Sequence, residues 1–309
     1  IEEALLEGAD LVDRHLLDQA GGVVSAKAQH LVPRAAFRTV LVEHRTGTAV
    51  AEVDNQVHDH RLRLELTLPF AADAIHCGAP FHVATRPLVP PARPDWFQPP
   101  APTQPMAGFA ALERPGGGGL ALFAPGLHEI EARPRTRGRG TRVWITLLRC
   151  VGWLSRDDLS TRRGEAGPCW PVSGAQMAGR HRFRVGLMLH RGGWRDGEAL
   201  RRLAEHRAPP RLVELTGQAA PTGTRAALPD SFLRVEPATV QLSCLAPTAD
   251  GGLEARLVNL GDRAVTARLE GPFVARERGL DGRGSRRRVD LRAIPLGPWQ
   301  IRTLALSAR

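Results

Sequence analysis

Tyrosine is absent from this 309-residue chain, and Lys27 is its only lysine, so 41 of its 42 basic residues are arginine. Aromatic residues make up only 5% of the sequence. The shortage of stacking surfaces weighs against single-stranded nucleic-acid binding, which interleaves aromatics with clustered charge. The net charge of +10 therefore reads as a compositional bias toward arginine. Its dense runs, "RPRTRGRGTR" (133–142) and "RGSRRR" (283–288), contain glycine and are expected to be solvated hairpin loops. No nucleic-acid partner is expected. Four cysteines, Cys77, Cys150, Cys169 and Cys244, stand far apart without a C-x-x-C pair, which fits neither a disulfide scaffold nor a zinc cluster. Long apolar runs are missing too, as is a basic-then-apolar leader, so no membrane contact and a cytoplasmic location are expected. There is no G-x-S-x-G nucleophile motif. "GGGG" (116–119) joins two β-like runs and so does not read as a phosphate loop opening a helix.

What remains is a chain dominated by strand signals. "FRTVLVEH" (37–44), "DHRLRLELTL" (59–68) and "RFRVGLML" (182–189) alternate apolar and polar residues, the pattern of half-buried antiparallel strands. In the second of these, Leu62, Leu64, Leu66 and Leu68 share one face, and Arg61 and Arg63 are expected to form ion pairs on the other. "HRTGTA" (44–49), "PGGGG" (115–119) and "LGDRA" (260–264) supply turn residues. "RPLVPPARPDWFQPPAPTQP" (86–105) must be a loop or excursion, because proline cannot serve a central strand. One surface helix is expected at "DGEALRRLAEHR" (196–207), with Asp196 as cap and Leu200, Leu203 and Ala204 as its apolar stripe. The organisation is all-β: a large unit over 1–210, a linker over 211–230 and a smaller all-β unit over 231–309.

Candidate chemistry is sparse. His58 and His60 in "HDHR" fall one step apart on a strand, but no further ligands with metal spacing accompany them, so no metal is expected in this chain. Asp157 and Asp158 are the only carboxylate pair in a plausible setting. Neighbours on an extended chain face opposite ways, so the two read as elements of a charge network with Arg149, Arg156 or Arg162. These charges follow directly on the apolar run Trp144–Leu148, which implies either a strand end reaching solvent or the rim of a site for a polar ligand.

The order of motifs carries a resemblance. "VDNQVHDHRLRLELTLP" (53–69), "FHVATRPL" (81–88), "GGLALFAPGLHEIE" (118–131), "TLLRCVGWLSRDDLSTRRGEAGP" (146–168), "HRFRVGLMLHRGGW" (181–194) and "GPWQIRTLAL" (297–306) together resemble the C-terminal half of glycoside hydrolase family 38, the α-mannosidases of bacterial type. This implies a large galactose-mutarotase-like β-sandwich followed by a smaller C-terminal β-sandwich. The family's zinc and its catalytic carboxylates would lie in a preceding α/β barrel and helical bundle, so no catalytic residue is expected in this chain. The opening residues from Ile1 lack start-like character, and a longer reading frame is expected. The resemblance also implies that Arg149 reaches the edge of the sugar site and that Arg156, Asp157 and Asp158 hold the adjoining loop. "GADLVDRHLL" (8–17) is similar to a family segment in which a tyrosine faces the substrate; His15 stands in that place and Arg14 replaces a glutamate. Two other readings stand beside this one: a free-standing carbohydrate-binding or mutarotase-like module, and an arginine-driven polyanion binder.

Overall fold

A computed structural model describes residues 47–136, 138–159, 162, 164–196, 198–208, 231–249 and 251–308, together with the backbone of two strands, Leu11–Val12 and Ser25–Gln29. The expected strand over 37–44, the linker over 211–230 and His15 lie outside the described residues. Contacts divide the chain into two units, Ile1–Gly193 and Trp194–Arg309.

The first unit holds twelve described strands: β1 (Leu11–Val12), β2 (Ser25–Gln29), β3 (Thr48–Asn55), β4 (Arg61–Leu68), β5 (Ala74–Ala79), β6 (His82–Pro87), β7 (Thr103–Pro105), β8 (Phe109–Glu113), β9 (Gly119–Phe123), β10 (Glu129–Pro134), β11 (Thr141–Arg149) and β12 (Gly179–His190). They form two six-stranded antiparallel sheets, β1-β2-β4-β11-β10-β7 and β3-β12-β9-β8-β5-β6. Period-two alternation sets what each sheet buries. Leu66 and Leu68 of β4, Ile130 of β10, and Val143 and Ile145 of β11 meet Ile75, Leu112, Leu120 and Leu122 of the other sheet in one core. The "PGGGG" stretch makes the expected hairpin between β8 and β9, with Gly116, Gly117 and Gly118 all at positive φ. At Gly119 the need is for space: a Cβ there would lie 2.1 Å from the Leu112 carbonyl oxygen. The proline-rich stretch has no regular structure between the end of β6 and the start of β7.

The second unit contains helix α1 (Glu198–Arg207) and eight strands: β13 (Arg234–Glu236), β14 (Val240–Pro247), β15 (Leu253–Asn259), β16 (Val265–Glu270), β17 (Phe273–Arg278), β18 (Gly284–Val289), β19 (Ile294–Leu296) and β20 (Ile301–Ala308). A three-stranded sheet, β13-β16-β19, faces a five-stranded one, β14-β15-β20-β17-β18, across a core that includes Leu257, Leu269, Ile294, Leu304 and Leu306. Helix α1 groups with this unit, and Gln241 of β14 donates to the Leu200 carbonyl at 3.0 Å. The apolar stripe of α1 is Ala199, Leu200 and Leu203, while Ala204 is exposed. Asp196 ends a short 3-10 turn just before the helix. Two expectations are corrected here. "RGSRRR" is no loop, because residues 284–288 lie in β18 and pair with β17. "LGDRA" joins β15 to β16 in a different sheet instead of closing a hairpin. Among the described residues no helix is long and apolar enough to cross a membrane.

Ile145 is fully buried at the centre of the first core. Ile145→Ala should cost about 3 kcal/mol, the transfer loss plus the cavity left behind, read as a fall in the urea midpoint with unchanged slope. A loss below about 0.5 kcal/mol, the range of surface substitutions, would show that this core is loosely packed.

Candidate functional site

Strand β11 answers why an apolar run delivers charge. From Thr141 to Thr146 it pairs regularly with β4, so Val143 and Ile145 point into the core and Trp144 and Thr146 away from it. The register then shifts between Thr146 and Leu148. Such a bulge adds one residue and reverses the phase of everything after it. Leu148 consequently pairs with Leu62 and is buried, while Arg149 pairs with Arg61 and is exposed. Without the extra residue, Arg149 would share the inward phase of Val143 and Ile145.

The face turned away from the core is a ladder of charge. Arg61 pairs with Glu129, and Thr146 Oγ1 donates to the same carboxylate at 2.6 Å. Arg63 pairs with Glu131 at 2.6 Å and lies over the Trp144 ring, 5.2 Å from its centroid. Trp144 Nε1 donates to Glu65 Oε2 at 2.8 Å, and Arg133 reaches Glu131 at 2.5 Å. Glu65 and Glu131 are buried, which is tolerable only because both are paired. The expected ion pairs of Arg61 and Arg63 are both present. Burial pushes the Glu129 carboxyl up, but the hydrogen bonds from Thr146 and Arg61 and the charges of Arg61 and Arg149 outweigh it and leave the pKa below its ordinary value.

Beyond Arg149 the chain forms a strapped loop. Its two limbs, 150–155 and 166–176, are joined by the Val151 N–H to the Ala175 carbonyl, the Val172 N–H to the Gly152 carbonyl and the Leu154 N–H to the Trp170 carbonyl at 2.8–3.3 Å. The Ala166 N–H also bonds Ser155 Oγ at 3.1 Å. On this frame Arg156 pairs with Asp158 through two hydrogen bonds at the surface. The bond to Arg156 lowers the Asp158 pKa. Asp157 acts on Arg156 only through its charge. Arg149 belongs to the sheet-face cluster through Glu129, not to this loop pair. Arg162 bonds the Glu165 carbonyl at 2.8 Å and stands over the Phe97 ring, 5.5 Å from its centroid. Trp153, Leu154 and Trp170 are exposed on this loop, whereas Trp144 is buried.

Sequence reasoning missed the residues that anchor this loop. Asn55, buried at the end of β3, donates to the Gln176 and Met177 carbonyls at 2.9 and 2.8 Å. Gln176 and Asp59 bond reciprocally, Gln176 Nε2 to Asp59 Oδ1 and the Asp59 N–H to Gln176 Oε1, both at 2.9 Å. Asp59 adopts a positive φ of 51°. That turn ends before β4 begins at Arg61, so His58 and His60 lie ahead of the strand and not on it: His58 is exposed and His60 is buried with Nε2 3.7 Å from Cys150 Sγ. Among the described residues no three His, Cys, Asp or Glu side chains gather as a metal ion would require. Burial pushes the Cys77 thiol up to about 11 and also raises that of Cys150, so neither is poised as a nucleophile.

The chain is similar in fold to a glycosyl hydrolase family 38 protein from Enterococcus faecalis, at 18% identity and a TM-score of 0.61 over 98% of this chain and 34% of that one. It is also similar to an alpha-mannosidase from Enterococcus faecalis V583, at 19% identity and a TM-score of 0.63 over 98% of this chain and 32% of that one. The chain thus spans about a third of the length of the solved structures it matches. No protein-family model and no curated protein matches it.

A carboxyl whose folded pKa is depressed adds stability that is complete above its unfolded value and fades as pH falls toward the folded one. Glu129→Gln should therefore lower the urea midpoint at neutral pH. The gap from wild type should close as pH drops below the ordinary glutamate value of 4.5. A gap independent of pH would mean that the Arg61, Thr146 and Arg149 cluster does not act on this carboxylate.

Proposed function

We propose that this chain is the C-terminal, non-catalytic portion of a retaining α-mannosidase, completing an enzyme that removes terminal α-mannosyl residues. The observation that carries the reading is the match of almost the whole chain to about one third of an alpha-mannosidase chain. In this reading the catalytic carboxylates and the zinc belong to a preceding barrel and helical bundle, its main partner. Among the described residues no such donor set gathers. Arg149, turned to the surface by the bulge, contributes to the edge of the sugar site, where a guanidinium can hydrogen-bond hydroxyls or orient a carboxylate. His15 is proposed to stand beside it in place of a tyrosine. Arg156, Asp157 and Asp158 keep the loop in shape. Four free cysteines support a reducing, cytoplasmic setting.

Exposure of Trp153 and Trp170 favours a second reading, a free-standing carbohydrate-binding module, since sugars stack on open indole faces. Retention on immobilised mannan that is lost in Trp153→Ala and Trp170→Ala would favour it.

The purified chain alone should not hydrolyse an aryl α-mannoside, even with added zinc. Once joined to its upstream catalytic region it should do so, and Arg149→Ala should then lower kcat/KM by about tenfold to a thousandfold, roughly 1.4 to 4 kcal/mol. Turnover by the chain alone that follows it through purification would overturn the non-catalytic reading. Wild-type kinetics in the Arg149 variant would remove that residue from the sugar site.

A further inference from the structure

The run "RPRTRGRGTR" (133–142) holds five arginines and no acidic residue. It makes the end of β10, the turn and the start of β11. Pairing puts Arg133 directly opposite Arg142, in the phase of Glu131 and Trp144 and so on the face turned away from the core. Like charges facing each other across strands are destabilising. Here each is offset by a buried carboxylate, Arg133 by Glu131 at 2.5 Å and Arg142 by Glu65 at 3.7 Å. Both ion pairs are made through Nε, and the two side chains are 52% and 44% exposed. The outer ends of the guanidiniums, NH1 and NH2, are thereby left for a further acceptor.

At the turn the cationic surface continues. The Arg135 N–H bonds the Gly140 carbonyl at 3.0 Å, and Arg135 NH1 donates to the Arg139 carbonyl at 3.4 Å, so this side chain lies across the hairpin. Gly140 makes room for it: a Cβ there would lie 2.9 Å from Arg135 Cδ and 2.3 Å from the Leu68 carbonyl oxygen. Arg135 and Arg139 are exposed, and neither pairs with a carboxylate among the described residues. What the hairpin lacks defines its partner. No aromatic or large apolar residue occurs in 133–142, so nothing here can stack a base, enter a bilayer or anchor a protein interface. The cationic track is also short. By strand rise it spans roughly 10 Å from the turn to the Arg133 and Arg142 pair. Beyond that pair Glu131 and Glu65 stand on the same face, where the dense phosphates of a nucleic acid would meet like charge.

We propose that the β10–β11 hairpin binds an acidic polysaccharide, a hydrated chain carrying sulfate or carboxylate groups along its length. One anionic group sits between the outer ends of Arg133 and Arg142, and the next is taken at the turn by Arg135 and Arg139. The planar fork of a guanidinium suits both kinds of group. Ring hydroxyls bond the exposed Thr136 and the remaining guanidinium N–H groups. The surface is independent of the proposed mannosidase role, because Arg142 and Arg149 lie toward opposite ends of β11, roughly 25 Å apart by strand rise.

Fluorescence anisotropy on the full chain with a labelled heparin oligosaccharide tests it, with a neutral dextran fragment and a single-stranded DNA of equal charge as comparisons. At about 0.15 M salt the heparin fragment should bind saturably, about tenfold or more tighter than either, and binding should weaken as salt is raised. Arg135→Gln combined with Arg139→Gln should weaken it by about tenfold or more. Neither residue holds a carboxylate, so this variant should fold. Arg263→Gln combined with Arg292→Gln removes the same charge from exposed positions of the second unit and should change the affinity by less than about twofold. Equal losses in the two variants would mean that net charge alone draws the polymer, and would overturn the proposal. So would the absence of saturable binding, or binding of the DNA as tight as that of heparin.

Discussion

A single inserted residue governs the arrangement of the first unit. β11 is the central partner of both β4 and β10, so its phase decides which side chains of the sheet are core and which are surface. The bulge between Thr146 and Leu148 allows one strand to bury Ile145 and Leu148, which lie on opposite parities, and still present Arg149 to the polar face. A regular strand could bury one or the other. The cationic strand end from which the loop departs depends on this change of phase, and it thereby joins the face on which Thr146, ahead of the bulge, and Arg61 and Glu129 of the neighbouring strands already stand.

Below the bulge the charged face is held together by sharing. Glu131 is contacted by Arg63 and Arg133, Glu65 by Trp144 and Arg142, and Glu129 by Arg61 and Thr146. Each carboxylate thus has two neighbours to offset lost hydration, the condition under which buried acids are tolerated. An arrangement so tightly satisfied holds its side chains in fixed positions, which suits a scaffold that orients a group at its edge.

Much of the fold was legible because period two survives any tertiary context. The leucines of β4 and the alternation of β12 mark their buried faces directly, and the glycines at 116–119 mark a hairpin. The bulge was not legible, because Leu147 is as apolar as the residues around it and nothing local separates an inserted leucine from a core one. Equally hidden was the bond network of Asn55, Asp59 and Gln176, which links positions more than a hundred residues apart in sequence. The arginines of 283–288 were not legible for a different reason: glycine and charge resemble a solvated turn, and only pairing with β17 shows that residues 284–288 lie in a strand.

Composition and contact disagree about where the second unit begins, and the reason is Trp194. That indole is buried and stacked with Trp299, 6.5 Å between centroids, while Arg195 pairs with Asp262 at 2.8 Å. Helix α1 follows at once and packs on β14 through Gln241. The small sandwich therefore carries its own plug on the segment that leads into it. Any recombination of this unit with a different neighbour, whether by evolution or by gene shuffling, has its natural seam at Gly193. A seam in the 211–230 segment, after the helix, would leave Trp299 facing a hole the size of an indole.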